Sequence, residues 1–187
     1  GVRGTPVYAR EEFLASHDER FRPVNLLDGP DGALYVVDLY RGILQHRVYM
    51  TSFLRAQVDG RGLATPVGLG RIWRVVPETL TARPERPALA DATWTELAAL
   101  LGDPSGWWRD MAQRIFVEEG RGSRDARELA TEAARDGASA LGRMHAVWAL
   151  EGMEALDEGL LLQLLADPDE RVVTAAVRAS EPFLRAE

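Results

Sequence analysis

Gly29-Pro30-Asp31-Gly32-Ala33-Leu34-Tyr35-Val36-Val37-Asp38-Leu39-Tyr40-Arg41-Gly42 is the run that decides how the first part of this 187-residue chain folds. Its Gly-Pro-Asp-Gly opening is turn chemistry, because proline pre-sets φ and glycine accepts positive φ at no steric cost. Leu34 to Leu39 then reads as a strand whose apolar character on both faces suits burial between neighbouring sheets. The strand ends in a cluster of charged and aromatic residues. Working outward, Val24 to Leu27 predicts a strand before the turn, and Arg71 to Val76 a third strand closed by Pro77. Ile43 to Gly68 is too long for a hairpin loop and predicts a helical turn around Ser52 to Val58. Glu11 to Phe21 reads as a short helix or compact loop. This is the pattern of one blade of a β-propeller, and a propeller needs at least ~4 blades of ~40–50 residues. The expectation is therefore a piece of a larger protein that carries the closing portion of a propeller followed by something different.

That something is helical. Glu78 to Pro87 holds two prolines and four charges and reads as a linker, after which the apolar period lengthens. Thr93-Trp94-Thr95-Glu96 is a capping box, and Trp94, Leu97, Leu100 and Leu101 share one helical face. Five more helices are predicted over Gly106–Glu119, Arg124–Arg135, Ala140–Glu151, Glu158–Ala166 and Glu170–Glu181. Asp157 and Asp169 are expected as N-caps, and Gly102, Gly120 and Gly152 as terminators. Arg109-x-x-Ala112, Arg143-x-x-Ala146 and Val173-x-x-Ala176 recur at spacings of 34 and 30 residues, and Asp103-Pro104 and Asp167-Pro168 mark turns inside the first and third pairs. The small alanine lets the second helix of each pair approach its neighbour, and each pair buries its open face on the next. This resembles HEAT repeats.

Composition bounds the chemistry. The formal net charge of −7 argues against a nucleic-acid or anionic-membrane surface. All 22 basic residues are arginine, which reflects codon bias more readily than a phosphate site. The chain has no cysteine, so disulfides, thiolate zinc, cysteine nucleophiles and covalent c-type haem are excluded within these residues. No apolar run approaches the ~18–20 residues that span a bilayer.

Asp38, Tyr40, Arg41, His46 and Arg47 lie where the blade strand runs into the long insertion, and loops on a rigid scaffold are where propeller sites are built. In the functional reading, Arg41 or Arg47 holds an anionic group, a cofactor carboxylate or substrate acid, through its planar fork, with Asp38 and Tyr40 beside it. His46 is then the candidate general base. In the structural reading, Asp38 pairs with an arginine to pin the loop and His46 is a hydrogen-bonder. Arg22 admits the same two readings. Asp28 and Asp31 could offer oxygens to calcium, or simply form the turn. His17 and His145 are isolated, and no His-x-x-His spacing points to zinc. Trp107, Trp108 and Trp148 sit at packing spacings rather than as a redox relay. The glycine pairs Gly60/Gly62 and Gly68/Gly70 lack a dinucleotide fold's third glycine.

Three stretches together carry a family likeness: Phe21-Arg22-Pro23-Val24-Asn25-Leu26, Gly29 through Arg47, and Gly68-Leu69-Gly70-Arg71-Ile72-Trp73-Arg74-Val75. They resemble the closing propeller segment of the membrane-bound dehydrogenase family, also called PVC-type haem-binding CxxCH proteins. Trp107 to Arg114 and Leu141 to Gly152 resemble the HEAT-like section that follows in that family. The resemblance implies an exported or periplasmic oxidoreductase with a quinoprotein-dehydrogenase-like propeller, helical repeats and a c-type cytochrome domain. It would oxidise a sugar, aldehyde or alcohol. Pyrroloquinoline quinone and c-type haem belong to such a parent, and none is expected within this chain, which alone should be inactive. The implied partners are the remaining blades, the cytochrome domain and a small organic substrate.

The expected architecture is thus mixed: a partial propeller blade over residues 1–76, a linker over 77–90, and an all-α HEAT-like solenoid of three helix pairs over 91–187. The helical core is expected to hold Leu97, Leu101, Trp108, Ala112, Ile115, Leu129, Ala146, Trp148, Leu161, Leu165, Val172 and Ala176. A non-catalytic propeller and HEAT module that recognises a glycan or protein is the competing function.

Overall fold

Turn chemistry sets the small sheet. In the computed structural model, which describes residues 4–5, 7–78 and 88–184, β1 (Pro23–Asp28) and β2 (Leu34–Asp38) flank the Gly-Pro-Asp-Gly turn. The Gly32 amide donates to the Gly29 carbonyl at 2.9 Å, and Gly32 has φ +80°, a conformation that a side chain would strain. β3 (Arg71–Val75) completes a sheet of order β1-β2-β3. It pairs antiparallel with β2, setting Leu34 against Val75, Val36 against Trp73 and Asp38 against Arg71. Opposed residues share a face, so the carboxylate of Asp38 lies on the same side as Arg71 and Trp73. Between the strands, α1 (Ser52–Gly60) is capped by Thr51 Oγ1, which accepts from the Leu54 amide at 3.2 Å. Residues 11–21 form bends and turns rather than a helix.

The chain divides into two compact units, residues 1–27 with 33–78 and residues 28–32 with 79–187. The architecture is mixed, a three-stranded sheet followed by helices. Most of the expected linker, residues 79–87, lies outside the described residues, and Leu89–Asp91 at its end forms a single 3-10 turn.

The helical unit contains α2 (Trp94–Leu100), α3 (Gly106–Glu119), α4 (Arg124–Asp136), α5 (Ala140–Gly152), α6 (Glu158–Leu164), α7 (Glu170–Ala179) and the short α8 (Glu181–Leu184). The Thr93–Glu96 capping box is present, and Ser123, Ser139, Asp157 and Asp169 each accept a first-turn amide. Three pairs result, α2/α3, α4/α5 and α6/α7. α3 packs on α5 and α5 on α7, while α2 packs on α4 and α4 on α6, so each pair stacks on the next. Alanines dominate the contacts: Ala112, Ala126, Ala130, Ala134, Ala146 and Ala176 are fully buried. Helix axes come close enough that a Cβ on Gly142 would meet the Gly102 backbone at 2.9 Å.

Two helix ends and four core positions need correction. α6 stops at Leu164 because Pro168 disfavours the helical conformation at Asp167. α7 stops at Ala179, since Pro182 cannot donate to a continuing ladder, and Glu181 begins a separate short helix instead. Leu165 was expected in the core but is 39% exposed. Leu129 is only half-buried, as are Ile115 and Trp148, which pack against the core from its edge.

Candidate functional site

Asp38 is the organising residue of the sheet unit. Its side chain is 1% exposed at the end of β2. Oδ1 accepts from the Arg22 amide and the Tyr40 amide, both at 2.8 Å, and Oδ2 accepts from the Trp73 indole at 3.0 Å. Burial pushes this carboxyl upward. The hydrogen bonds from Arg22, Trp73 and Tyr40, with the Arg71 charge, outweigh it, and the pKa is held below the usual carboxylate range. An ionised aspartate therefore ties together the start of β1, the segment after β2 and a β3 side chain.

The loop beyond β2 is pinned by a second group. Arg22 Nε donates to the Arg41 carbonyl at 2.8 Å, and its Nη2 to the Gly42 carbonyl at 3.3 Å. Tyr40 has φ +48° and is held from both sides: its hydroxyl donates to Asp18 Oδ2 at 2.8 Å, and the Arg71 guanidinium sits 3.7 Å from its ring centre. Such stacking attracts a cation to the ring's negative face. Hydrogen bonds from the Arg20 amide and the Tyr40 hydroxyl lower the Asp18 pKa.

Asp38 and Tyr40 are thus brought together in one internal network, joined by Arg22, Arg71 and Trp73. Arg47 is drawn elsewhere, into an exposed pair with Asp59 at 3.4 Å. The side chains of Arg41, half-buried, and His46, exposed, take no hydrogen-bond or ionic partner among the described residues. The expected arginine partner of Asp38 is replaced by two backbone amides and an indole, with Arg71 contributing charge alone. Arg71 and Trp73 were not singled out in the sequence. The strands as bounded in the sequence, Leu34 to Leu39 and Arg71 to Val76, read antiparallel would have set Arg71 against Leu39 and missed the Asp38–Arg71 pairing by one residue.

The helical unit holds a different polar element. Arg143 forms a forked, largely buried pair with Asp167, Nε to Oδ2 at 2.8 Å and Nη2 to Oδ1 at 2.9 Å. Its Nη1 donates to the Gly137 carbonyl at 2.8 Å. The fork raises the Arg143 pKa and lowers that of Asp167. Arg109, the corresponding residue of the first pair, donates to the Asp103 carbonyl at 2.6 Å and the Pro104 carbonyl at 3.0 Å, closing its own turn. His145 is buried, with Nδ1 2.7 Å from Gln113 Oε1. Burial pushes its pKa down, which outweighs the opposing pull of Asp110. Trp107 and Trp108 pack edge to face at 4.9 Å, and Trp94 lies 5.2 Å from Phe116.

Among the described residues no group of three or more His, Asp or Glu side chains could hold a metal ion, and no helix is long and apolar enough to cross a membrane. An open groove of about 450 Å³ between α2, α4 and α5 is lined by small side chains with Glu132 and Asp136, and its Ser139 hydroxyl is occupied in capping α5. In the sheet unit, a groove of about 600 Å³ runs over Phe13, Leu14, Val24, Leu26, Leu34 and Val36. Residues 3–79 match a family model described as a domain of unknown function, DUF7133, and that match ends one residue beyond the first compact unit. No curated protein and no solved structure shows a significant similarity to the chain.

Proposed function

We propose that this chain is the closing β-propeller segment and HEAT-like helical scaffold of a larger exported oxidoreductase. The observation that carries this reading is the unfinished sheet. Val24, Leu26 and Leu27 of β1 and Ile72 and Trp73 of β3 stay exposed, and the unit buries only Ala33, Val36 and Val58 among its described apolar side chains. Exposed apolar surface of this kind on both outer strands is what neighbouring blades would cover. The parent's reaction, oxidation of a sugar, aldehyde or alcohol with electrons passed to a c-type haem domain in the periplasm, is supported by the likeness of the stretches from Phe21 to Val75 to the dehydrogenase family.

The residues here do not by themselves fit a quinone. Of the four side chains expected to hold a cofactor, Asp38 and Tyr40 are locked in the internal network and Arg47 pairs with Asp59. Arg41 remains, with His46 as the expected base beside it, too few groups to cradle a quinone bearing several carboxylates. A quinone site in the parent is therefore built mainly by other blades. Haem attachment through Cys-x-x-Cys-His likewise lies outside a chain without cysteine. The test is made on the full-length parent supplied with pyrroloquinoline quinone: a sugar, aldehyde or alcohol should reduce its haem, seen in the visible absorption bands. A parent that lacks a Cys-x-x-Cys-His motif and reduces no haem would sink the oxidoreductase reading.

The engagement of Asp38, Tyr40 and Arg47 favours a second reading, in which the parent is a non-catalytic module that recognises a glycan or protein and the helices are a spacer. A glycan array probed with the parent separates the two.

A further inference from the structure

We propose that His145 makes the joint between the first two helix pairs an acid-sensitive latch, which loosens α2/α3 from α4/α5 in acid while α6/α7 stays stacked. The joint is closed towards both ends of α5. A Cβ on Gly142 would sit 2.9 Å from the Gly102 backbone, and one on Gly152 would meet Val117 of α3 at 2.5 Å. Gly142, His145, Ala149 and Gly152 follow one another at spacings of three, four and three, so they share one face of α5. The titratable ring is thus held mid-joint between two close approaches, and the residue is only 8% exposed.

Gln113 of α3 supplies the polar tie across this joint. His145 Nδ1 lies 2.7 Å from Gln113 Oε1, where the neutral ring donates. A second proton must then go to Nε2, which takes no hydrogen-bond partner among the described residues. Two charges act on the ring, both from α3. Asp110 favours the imidazolium, but its carboxylate is 3.9 Å from Nδ1 and its side chain is 67% exposed, whereas Arg109 opposes it. Among the described residues, α4 and α7, the other helices packed on α5, add no charge that acts on the ring. Burial is the largest influence and holds the pKa below its ordinary value. The closed joint is therefore undisturbed well above about pH 6.5 and loses stability as pH falls below it. The second joint is built differently. Its counterpart of His145 is Ala175, and its polar tie is the Arg143–Asp167 fork, whose shifts only reinforce both charges.

His17 and His46 lie in the sheet unit, so His145 is the one histidine of residues 88–184. Histidine is the side chain that ordinarily titrates between about pH 5 and about pH 8. In the 187-residue chain, hydrogen-exchange protection corrected for its intrinsic pH dependence should fall in α2 and α3 between about pH 7.5 and about pH 5. The fall should be about threefold or more, under a ceiling of about thirtyfold set by an unfolded pKa of about 6.5. α7 should keep its protection. His145→Gln keeps a donor for Gln113 without a titrating ring and should abolish the fall. Asp110→Asn, at an exposed site, removes the charge that favours the imidazolium and should enlarge the fall. The ring's proton resonances should titrate below about pH 6.5. Equal protection at the two pH values overturns the proposal, as does a loss that persists in His145→Gln or spreads equally to α7.

Discussion

The sheet unit and the helical unit solve the same problem with opposite means. The sheet unit buries only three apolar side chains among its described residues, Ala33, Val36 and Val58, and is organised by one buried, ionised carboxylate. The helical unit is organised by a continuous apolar cluster from Leu97 to Ala179, with alanines and Gly142 allowing close helix contact. Hydrophobic burial is non-directional and tolerates small rearrangements, whereas a carboxylate that satisfies three donors does so in one geometry only. The first unit should therefore fail abruptly when its pin is altered, and the second by degrees.

The largest effect is expected at Asp38. Asp38→Ala strands the Arg22 and Tyr40 amides and the Trp73 indole in a buried site, at a cost of about 3–5 kcal/mol. Hydrogen exchange should accelerate across residues 34–38 and 71–75 while α2 to α7 keep their protection. Asp38→Asn keeps one acceptor oxygen and should cost about 1–3 kcal/mol. Because the folded-state pKa of Asp38 is depressed, its contribution is complete above the unfolded value of about 3.9 and is lost as pH falls through the lower folded value. Asp38→Asn should remove that acid sensitivity from the sheet. Equal exchange rates in the wild type and the alanine variant would break the contrast between the units.

Next in size is the Arg143–Asp167 fork, where the helical unit borrows the sheet unit's device. Its side chains are 14% and 8% exposed, so some solvent screening remains. Arg143→Ala or Asp167→Ala should each cost about 2–4 kcal/mol, below the figure for a sealed pair. Replacing both by apolar residues of similar volume should recover most of the loss, because no unpaired charge is then left behind. Thermal melts followed by far-ultraviolet circular dichroism measure this. A double variant no better than Asp167→Ala alone would mean that the fork sets the stacking geometry rather than balancing two charges.

What was legible in the sequence divides along the same line. Local rules found α3 at Gly106–Glu119, the Thr93–Glu96 capping box and the Asp157 and Asp169 caps, because each depends on residues within one turn. The repeat singled out Arg143 and the Asp167-Pro168 turn but not their pairing, which depends on how one pair sits on the next. Leu165 was misplaced since a helical period shows that a residue is apolar and not whether a neighbour covers it. The Asp38 network was the least legible part. Its donors come from Arg22, Tyr40 and Trp73, and the Trp73 indole is 35 residues away, so closing the network needs the strand register as well as the motif.

Ala112→Leu and Ala146→Leu test the gradual response expected of the helical unit. Both alanines are fully buried where second helices approach each other, and overpacking there should cost about 1–3 kcal/mol each. The unit should still unfold in one transition at a lower temperature. Variants that melt like the parent chain would show the repeat register to be wrong.

The smallest effect on stability is expected at Arg41 and His46, and it bears most on function. Arg22 anchors the loop by donating to the carbonyls of Arg41 and Gly42, while the Arg41 guanidinium and the His46 ring take no partner among the described residues. Arg41→Ala and His46→Ala should therefore leave the sheet's hydrogen exchange unchanged, whereas Arg22→Ala should raise it around residues 40–42. Side chains held in place by the backbone but not used by it are free to meet a ligand. In a full-length parent with the proposed activity, Arg41→Ala should lower turnover or binding by roughly tenfold, the worth of one charge-assisted pair at about 1.5 kcal/mol. Arg41→Lys should rescue it poorly, since an ammonium lacks the planar fork. Loss of sheet protection in Arg41→Ala, with activity per folded molecule intact, would place Arg41 beside Asp38 and Arg22 among the residues that only hold the loop.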